Sequence, residues 1–375
     1  MANMASMNIH LPISTWIKYN WKRRTASTTP CSSRWPGGPG QGGDKRQMEK
    51  GNRQDSYTSP VRAILTGIGD LFRKSSGGLT LDGLPTLENK KVMITGASSG
   101  LGFATAVELA RRGAHVIMAV RSGMPARGEE VQRRSGSGLV DMVRVDLSDL
   151  ASLPAFVKQV KDTFGTVDIL VCNAAVVTRR SRRVDPGLDE MFAVNYFAKF
   201  LLINLMLEEG CLDLSGPVQP RIIIVNSESH RNPSAIEWEK FGKYEEYGMG
   251  KSVAMYGYYK LLLLTMANEL SRRLNPGDEV RCPVLALCPG PVNSHIAREA
   301  PKAFQPLLKL VFGIFFRSPR KACHPVVYLA ASGEIGHNAM EYLFLKGRKV
   351  MDPKATEPEN GRRLWDLSEQ LRKRF

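Results

Sequence analysis

The sequence predicts a doubly wound α/β fold, in which helices cover both faces of one parallel β-sheet. Short apolar runs alternate with longer helical segments from residue 91 to residue 287. Most of these runs are largely apolar, which is typical of strands buried on both faces. The 375 residues are 43% hydrophobic and 23% charged, so the chain has the side chains for a full core and global disorder is excluded.

Strands and helices follow one another regularly along this region. The predicted strands are 91–95, 115–120, 139–145, 167–171, 221–225 and 283–287. The predicted helices are 103–112, 151–164, 188–208 and 252–273. Each strand–helix–strand step builds a βαβ unit, so we expect one folded domain over residues 87–375.

Residues 1–86 differ from this domain in composition. The first 43 residues contain no Asp or Glu, nine Ser or Thr and several Lys and Arg, and a polar linker follows them. Such N-termini are typical of plastid and mitochondrial transit peptides, while a basic tail without a targeting role is the other interpretation. We predict a disordered basic extension and a plastid or mitochondrial location, with the cytoplasm or the endoplasmic-reticulum membrane as alternatives.

The basic balance of the chain, a formal net charge of +16, raises the question of nucleic acid. The charge is spread along the chain without a zinc-finger, basic-zipper or RNA-binding motif, so a nucleic-acid partner is not expected. No run of 18 apolar residues occurs, which argues against a conventional membrane-spanning helix. The six cysteines and six histidines lack metal-ligand spacing, so we expect neither a disulfide scaffold nor a metal site.

A glycine-rich turn follows the first predicted strand and opens the first helix. Glycines there allow the backbone to approach a pyrophosphate, and the helix N-terminus offers its N–H groups. We therefore predict a Rossmann-type dinucleotide site. Its candidate residues in this turn are Thr95, Gly96, Ser98, Ser99, Gly100, Leu101 and Gly102.

The end of the second strand bears on the choice of dinucleotide. An acid at this point would bind the ribose 2′-OH of NAD, but the strand continues into Arg121. A guanidinium suits a 2′-phosphate, so NADP(H) is favoured over NAD(H), unless Arg121 is simply a solvated loop residue. Asp146, after the third strand, suits either a bond to the adenine amino group or a helix N-cap.

Further motifs stand in a fixed order after this turn. They are Cys172-Asn173-Ala174-Ala175, Val194-Asn195, Ser227, Tyr256-x-x-x-Lys260 and Pro289-Gly290-Pro291-Val292. Over residues 88 to about 350 the chain resembles the short-chain dehydrogenase/reductase superfamily, and most of all its retinol dehydrogenase group. The segments that carry this closer resemblance are 194–202, 227–230, 289–294 and 362–368.

A second similarity is to light-dependent protochlorophyllide reductase. That family carries a long insertion between its Ser and its Tyr, whereas only 28 residues separate Ser227 from Tyr256. The short spacing disfavours a tetrapyrrole reductase.

The resemblance implies a catalytic set of Asn195, Ser227, Tyr256 and Lys260. Tyr256 would be the general acid in reduction and the base in oxidation, Ser227 would bind the substrate oxygen, and Asn195 would anchor a water that relays protons from Lys260. Tyr256 and Lys260 stand four residues apart on one helix, so the ammonium is expected to lower the pKa of the phenol. Further cofactor-binding candidates are Leu147, Asn173, Ala174, Ala175, Tyr256, Lys260, Pro289, Gly290, Val292 and Ser294.

Four positions depart from the family pattern. Ala175 stands where a glycine is usual and is expected to crowd the cofactor slightly. Asn226 replaces the first residue of a Ser pair, Tyr259 replaces a small residue, and Ser294 stands for a Thr. None of these changes removes a catalytic group.

The segment 300–316 is apolar and aromatic with basic residues at its edges. It predicts either an amphipathic lid that also touches a membrane surface, or a helix packed on the core or at a dimer interface. With the resemblance, it suggests a lipophilic alcohol or carbonyl substrate for an NADP(H)-dependent oxidoreductase. A non-catalytic NADP-binding sensor or membrane-associated scaffold is the alternative, and dimers and tetramers both occur on this fold.

Overall fold

A central β-sheet organises the chain in a computed structural model that describes residues 81–290, 318–335 and 337–375. The strands in chain order are β1 (Lys91–Thr95), β2 (His115–Val120), β3 (Val140–Arg144), β4 (Ile169–Cys172), β5 (Arg183–Val184), β6 (Leu188–Asp189), β7 (Arg221–Val225), β8 (Val284–Cys288), β9 (Met340–Phe344) and β10 (Gly347–Arg348). Eight of them form the sheet in the order β10-β9-β8-β7-β4-β1-β2-β3, and β5 pairs with β6 in a separate hairpin.

The strand order reverses direction at the middle of the sheet. From β1 the chain adds β2 and β3 on one side, and from β4 it adds β7, β8 and β9 on the other. All of these pairs are parallel, and β10 runs antiparallel to β9. Ligands of doubly wound folds bind at the carboxyl ends of the strands where the order reverses. The binding crevice therefore lies beside Thr95 and Cys172.

Helices cover the sheet on both faces. They are α1 (Gly100–Arg111), α2 (Ala126–Ser135), α3 (Leu153–Phe164), α4 (Glu190–Glu208), α5 (Met249–Leu274), α6 (Pro319–Ala322), α7 (His324–Ala331), α8 (Pro353–Thr356) and α9 (Pro358–Arg372). Short 3-10 turns occur at Leu150–Ser152, Glu228–Arg231 and Trp238–Lys240.

Successive residues of each strand enter two different cores. Met93 packs in a core with α3, α4, α5 and α9. Its neighbours Val92 and Ile94 pack on the opposite face with α1 and α7. Burial on both faces explains why β4 and β8 are apolar at every position.

The predicted fold class is confirmed, with every predicted strand and helix present to within a few residues. Helix α2, strand β9 and the helices after β8 were not predicted from the sequence. In the part of the chain that the structure describes, α4 is the one helix long and apolar enough to cross a membrane. Within its apolar window 94% of the residues are buried, so α4 serves as a core helix.

Several predictions concern residues outside the described ranges. The disordered extension with its transit peptide falls on residues up to 80, and the amphipathic segment falls on 300–316. Both remain predictions, as does the domain boundary at residue 87.

Candidate active site

The glycine-rich turn between β1 and α1 lies against the segment that follows β4. A Cβ added at Gly96 would lie 2.9 Å from the Ala174 Cα, and one added at Gly102 would lie 2.5 Å from Asn173 Nδ2. Gly96 and Gly100 have φ of 68° and 56°, a region that favours glycine. These glycines therefore permit close approach within the protein itself, besides leaving backbone open to a ligand.

Thr95 and Asn173 tie the ends of β1 and β4 together. Thr95 Oγ1 accepts hydrogen bonds from the backbone N–H groups of Asn173 (3.0 Å) and Ala174 (3.1 Å). In return, Asn173 Nδ2 donates to the carbonyl oxygens of Thr95 (2.9 Å) and Gly96 (3.3 Å). Thr95, Gly96, Asn173 and Ala174, which were all predicted as cofactor-binding residues, thus meet where the strand order reverses.

The N-terminus of α1 is suited to an anionic group. Ser99 holds the N-cap position without a side-chain cap, and the first turn, which the structure describes in full, has no acidic residue. The first N–H groups of the helix and the positive end of its dipole are left for a ligand. Together with the glycines, this end of α1 fits the pyrophosphate of a dinucleotide.

Two arginines flank the turn. Arg121, the first residue after β2, is exposed. The backbone just beyond it passes close to the turn, since a Cβ added at Gly123 would lie 3.6 Å from Ser98 Cβ. Arg127 Nε donates to the Ser98 carbonyl at 2.7 Å, and its guanidinium lies 4.2 Å from the centre of the Phe103 ring. Arg127 is therefore held in place, whereas Arg121 faces solvent beside the predicted ribose position.

Asp146 uses one carboxylate oxygen in a local turn. Its Oδ1 accepts from the backbone N–H of Ser148 (2.9 Å) and from the Ser148 hydroxyl (2.6 Å). The N-cap position of the next 3-10 turn belongs to Asp149, so Asp146 does not cap a helix. Leu147 beside it is buried.

The remaining cofactor candidates lie at the ends of β4 and β8. Ala175, after β4, is exposed. Pro289 is buried and Gly290 has a φ of 77°. Val292 and Ser294 fall outside the residues that the structure describes, and their assignment stays a prediction.

Asn195 lies in an irregular turn of α4. Residues Ala193–Phe197 form a π-helical turn, a feature that is frequent at functional sites. The Asn195 side chain is fully buried; its Oδ1 accepts from the N–H of Val176 and its Nδ2 donates to the Val176 carbonyl, both at 2.8 Å. Asn195 therefore fixes the loop after β4 to α4.

Ser227, Tyr256 and Lys260 meet where α5 crosses the end of β7. Ser227 caps the 3-10 turn Glu228–Arg231, and a side-chain hydrogen bond joins it to Tyr256. The close crossing depends on Gly257, where an added Cβ would lie 2.7 Å from the Ser229 carbonyl oxygen. Lys260 Nζ donates to the Val225 carbonyl at 2.9 Å and lies 5.6 Å from the centre of the Tyr256 ring.

Burial dominates the protonation of this group. Burial, with a smaller contribution from the charge of Lys199, lowers the pKa of Lys260 to about 7. Burial, together with the Cys288 thiol, raises the pKa of the Tyr256 phenol, while the hydrogen bond with Ser227 lowers it in part. This net direction is opposite to the one expected from Lys260 alone, because removal from water disfavours the charged phenolate. The phenol is therefore protonated at neutral pH.

Three contributors to the site were missed in the sequence. Gly257 supports the crossing of α5, His230 Nδ1 lies 2.7 Å from the Ser227 carbonyl oxygen, and Lys199 is fully buried on α4. Lys199 could have been found in the sequence, because it is a charged residue within an otherwise apolar stretch of a predicted helix. The Ser227 hydroxyl and the Tyr256 phenol, with Lys260 beside the phenol, can donate hydrogen bonds and a proton to an oxygen of a ligand bound in the crevice.

Comparison with known proteins agrees with this geometry. The short chain dehydrogenase family model matches residues 90–239. Retinol dehydrogenase 13 of Mus musculus is 33% identical over 332 residues, which are 84% of this chain and 94% of that protein. Retinol dehydrogenase 14 of Homo sapiens is 34% identical over 304 residues, covering 76% of this chain and 87% of that protein.

Solved structures show the same fold. An uncharacterized protein from Mycobacterium paratuberculosis superposes with a TM-score of 0.61 at 28% identity, covering 79% of this chain and 98% of that one. A short-chain dehydrogenase/reductase variant from Serratia marcescens gives a TM-score of 0.52 at 25% identity, covering 72% and 99%. The chain belongs to the short-chain dehydrogenase/reductase family of nicotinamide-dependent oxidoreductases.

Proposed function

We propose that the chain is an NADP(H)-dependent oxidoreductase that interconverts a lipophilic alcohol and its carbonyl compound. The observation that carries this proposal is the meeting of Ser227, Tyr256 and Lys260 at the end of β7, the strand next to β4, where the strand order reverses and doubly wound folds bind ligands. A binding protein without activity would not need this complete set of proton-transfer groups.

The side chains divide the work of carbonyl reduction among them. The Ser227 hydroxyl donates a hydrogen bond to the carbonyl oxygen, and Tyr256 donates its phenolic proton to that oxygen as negative charge develops. The phenol of Tyr256 is protonated at neutral pH, so it holds the proton that reduction consumes. The nicotinamide, when bound, supplies the hydride in reduction and accepts it in oxidation.

The preference for NADP(H) is supported by the charge at the end of β2. Arg121 is exposed directly after the strand, and Met118–Gly123 contains no carboxylate that would repel a 2′-phosphate. Arg127 lies against the turn as well, where its Nε donates to the Ser98 carbonyl. A guanidinium can bind a phosphate through two parallel, charge-assisted hydrogen bonds. A neutral ribose hydroxyl cannot form such a pair.

Arg121→Gln tests this preference. We expect kcat/KM for NADPH to fall about tenfold, or roughly 1.4 kcal/mol, because the charge-assisted bond to the phosphate is lost. The value for NADH should stay within about twofold. Arg133→Gln, which removes an exposed arginine at the far end of α2, is the matched control. Equal losses with the two cofactors would contradict the assignment.

A lipophilic substrate is supported by the exposed face of α5. Met249 and Val253 precede Tyr256 on the same side of the helix, at spacings of four and three residues. Their exposed fractions are 68% and 44%, which are high for large apolar side chains. The relatives named retinol dehydrogenase 13 and 14 agree with a substrate of this class.

The full-length chain should be assayed with NADPH and with NADH against a panel of aldehydes and ketones of increasing chain length, including retinal. We expect turnover that prefers NADPH and long apolar substrates. Tight NADPH binding with no turnover across the panel would contradict an oxidoreductase acting on lipophilic carbonyls. A preference for short, polar carbonyls would contradict the substrate class alone.

A further inference from the structure

Lys199 is a buried lysine that the mechanism above does not use. It lies in α4 with no exposed surface, in a helix whose neighbouring side chains are mostly apolar. Its Nζ donates to the backbone carbonyl oxygens of Val194 (2.8 Å) and Asn195 (3.2 Å). No carboxylate among the described residues is paired with this ammonium. Burying a charge without an acidic partner costs folding free energy, so a residue that only fills space would be expected to be apolar here.

Lys199 is connected to the catalytic group through the main chain of α4. Its two acceptors belong to the π-helical turn Ala193–Phe197, which contains Asn195. The Asn195 side chain is held by Val176, so Lys199 holds the main-chain side of the same residue. Lys260 lies within electrostatic range on the adjoining helix α5. Lys199 therefore contacts Asn195, and Lys260 lies beside Tyr256.

We propose that Lys199 is a positioning residue for the reaction, whose ammonium fixes the Asn195 carbonyl and places a second buried positive charge near Lys260. This inference rests on the proposed function. The role is indirect: Lys199 acts on the substrate through Lys260 and Asn195, and it touches neither the reacting atoms nor the phenol.

The direction of the effect follows from the neighbouring groups. The groups that act electrostatically on the two lysines are the Cys172 thiol of β4 and the Cys288 thiol of β8, while Tyr256 shares the face of α5. Burial raises the pKa of Cys288 to about 11, so this thiol is neutral at pH 7. The pKa of Lys199 is lowered to about 8 by burial, so at neutral pH it is still mostly charged and disfavours the charged form of Lys260. Removing that charge raises the pKa of Lys260.

Alcohol oxidation gives the sharpest readout, because its acid limb reports the loss of a proton from the Tyr256–Lys260 pair. For Lys199→Met and Lys199→Gln we expect this limb of kcat/KM to move to higher pH by about one unit, a loss of about tenfold at pH 7. Lys199→Gln keeps a donor for the carbonyls and removes only the charge. Lys199→Arg keeps the charge and should retain the wild-type limb.

A pH limb that is unchanged in Lys199→Gln would overturn the electrostatic role. Loss of activity at all pH values without a shift, restored only by an amide donor, would overturn it as well, since the residue would then be purely structural. Thermal unfolding of each variant shows whether the fold is retained.

A second measurement avoids both folding defects and activity. In the wild-type chain labelled at the lysine Cε with carbon-13, NMR should show two lysines titrating below pH 9, one of them absent in Lys199→Arg. The Lys260 resonance should move to a higher midpoint in Lys199→Gln. Because no substrate is needed, an unshifted Lys260 overturns the role of Lys199, whereas a shifted one without turnover in any assay overturns the proposed function.

Discussion

Single glycines set how closely the strands and helices of this site can meet. Gly102 is the clearest case, because a Cβ there would lie 2.5 Å from both Asn173 Nδ2 and the Gly96 carbonyl oxygen. Neither neighbour is the end of a flexible side chain free to move, since Asn173 is bonded to Thr95 and Gly96. The absence of a side chain at Gly102 therefore allows the close contact between the glycine-rich turn and the segment after β4.

Gly102→Ala should disturb this joint. We expect the free energy of unfolding to fall by about 1–3 kcal/mol, as in other overpacked sites, and NADPH to bind about tenfold more weakly. Gly250→Ala is the matched control, since Gly250 also lies in the first turn of a helix and nothing lies within 4 Å of its added Cβ. That control should be neutral or slightly stabilising. Denaturant unfolding and fluorescence titration with NADPH measure both; a neutral Gly102→Ala would refute the packing argument.

Residue identities at the site were predictable, because each motif member has its own chemistry. The contacts between these residues were not predictable. The hydrogen bonds of Asn195 to Val176 join two separate segments of the chain, and the need for glycine at Gly257 depends on its distance from Ser229. The direction of the Tyr256 pKa was predicted wrongly. It depends on how much water the folded chain removes, which the spacing of Tyr256 and Lys260 does not reveal.

At the scale of elements, the 3-10 turn Glu228–Arg231 positions Ser227 through a buried histidine. His230 has no exposed surface, and its Nδ1 lies 2.7 Å from the Ser227 carbonyl oxygen, so Nδ1 carries the proton of the neutral ring. Its ring stands edge-on to Tyr342 at 5.5 Å. Burial lowers the pKa of His230 to about 4.

The stability of the fold should therefore depend on this histidine below neutral pH. The unfolded chain takes up a proton near pH 6.5, whereas the folded chain resists protonation until about pH 4. Its contribution is thus full above about pH 6.5 and is lost as the pH falls toward 4, by up to about 3 kcal/mol. His230→Asn should flatten this fall in the free energy of unfolding, measured by denaturant titration. His337→Gln, at an exposed histidine, should keep the wild-type slope; identical slopes in all three proteins would contradict the account.

Elements with strong apolar patterns were predictable and the others were not. The strands and α5 carry continuous apolar runs, and their bounds were found to within a few residues. Helix α2 (Ala126–Ser135) has only Gly128 and Val131 buried, so it leaves almost no periodic signal. Apart from Asn195, the π-helical turn in α4 has no distinguishing composition, because its other residues are mostly apolar like those of the regular turns beside it.

At the scale of the whole molecule, the chain closes its core with its last helix. Ser368 Oγ of α9 lies 2.6 Å from the Tyr196 hydroxyl, and Trp365 stands edge-on to Phe200 at 5.0 Å between ring centres. These residues contact α4 from more than 160 positions away along the chain. The doubly wound class followed from the strand–helix alternation, but β9 at the sheet edge and α9 on α4 depend on such distant pairings. No local pattern specifies them.

The central claim is that Tyr256 supplies the proton for carbonyl reduction, and one comparison tests it most directly. NADPH-dependent reduction of a lipophilic aldehyde should be measured for the wild type, Tyr256→Phe and Tyr258→Phe, with NADPH affinity determined in parallel. Tyr258 is a half-buried phenol on the same helix whose hydroxyl bonds to the Glu237 carbonyl, so it is a matched control. We predict a loss in kcat of at least about a hundredfold for Tyr256→Phe, with NADPH binding retained, and near wild-type turnover for Tyr258→Phe. Wild-type turnover in Tyr256→Phe would contradict the account.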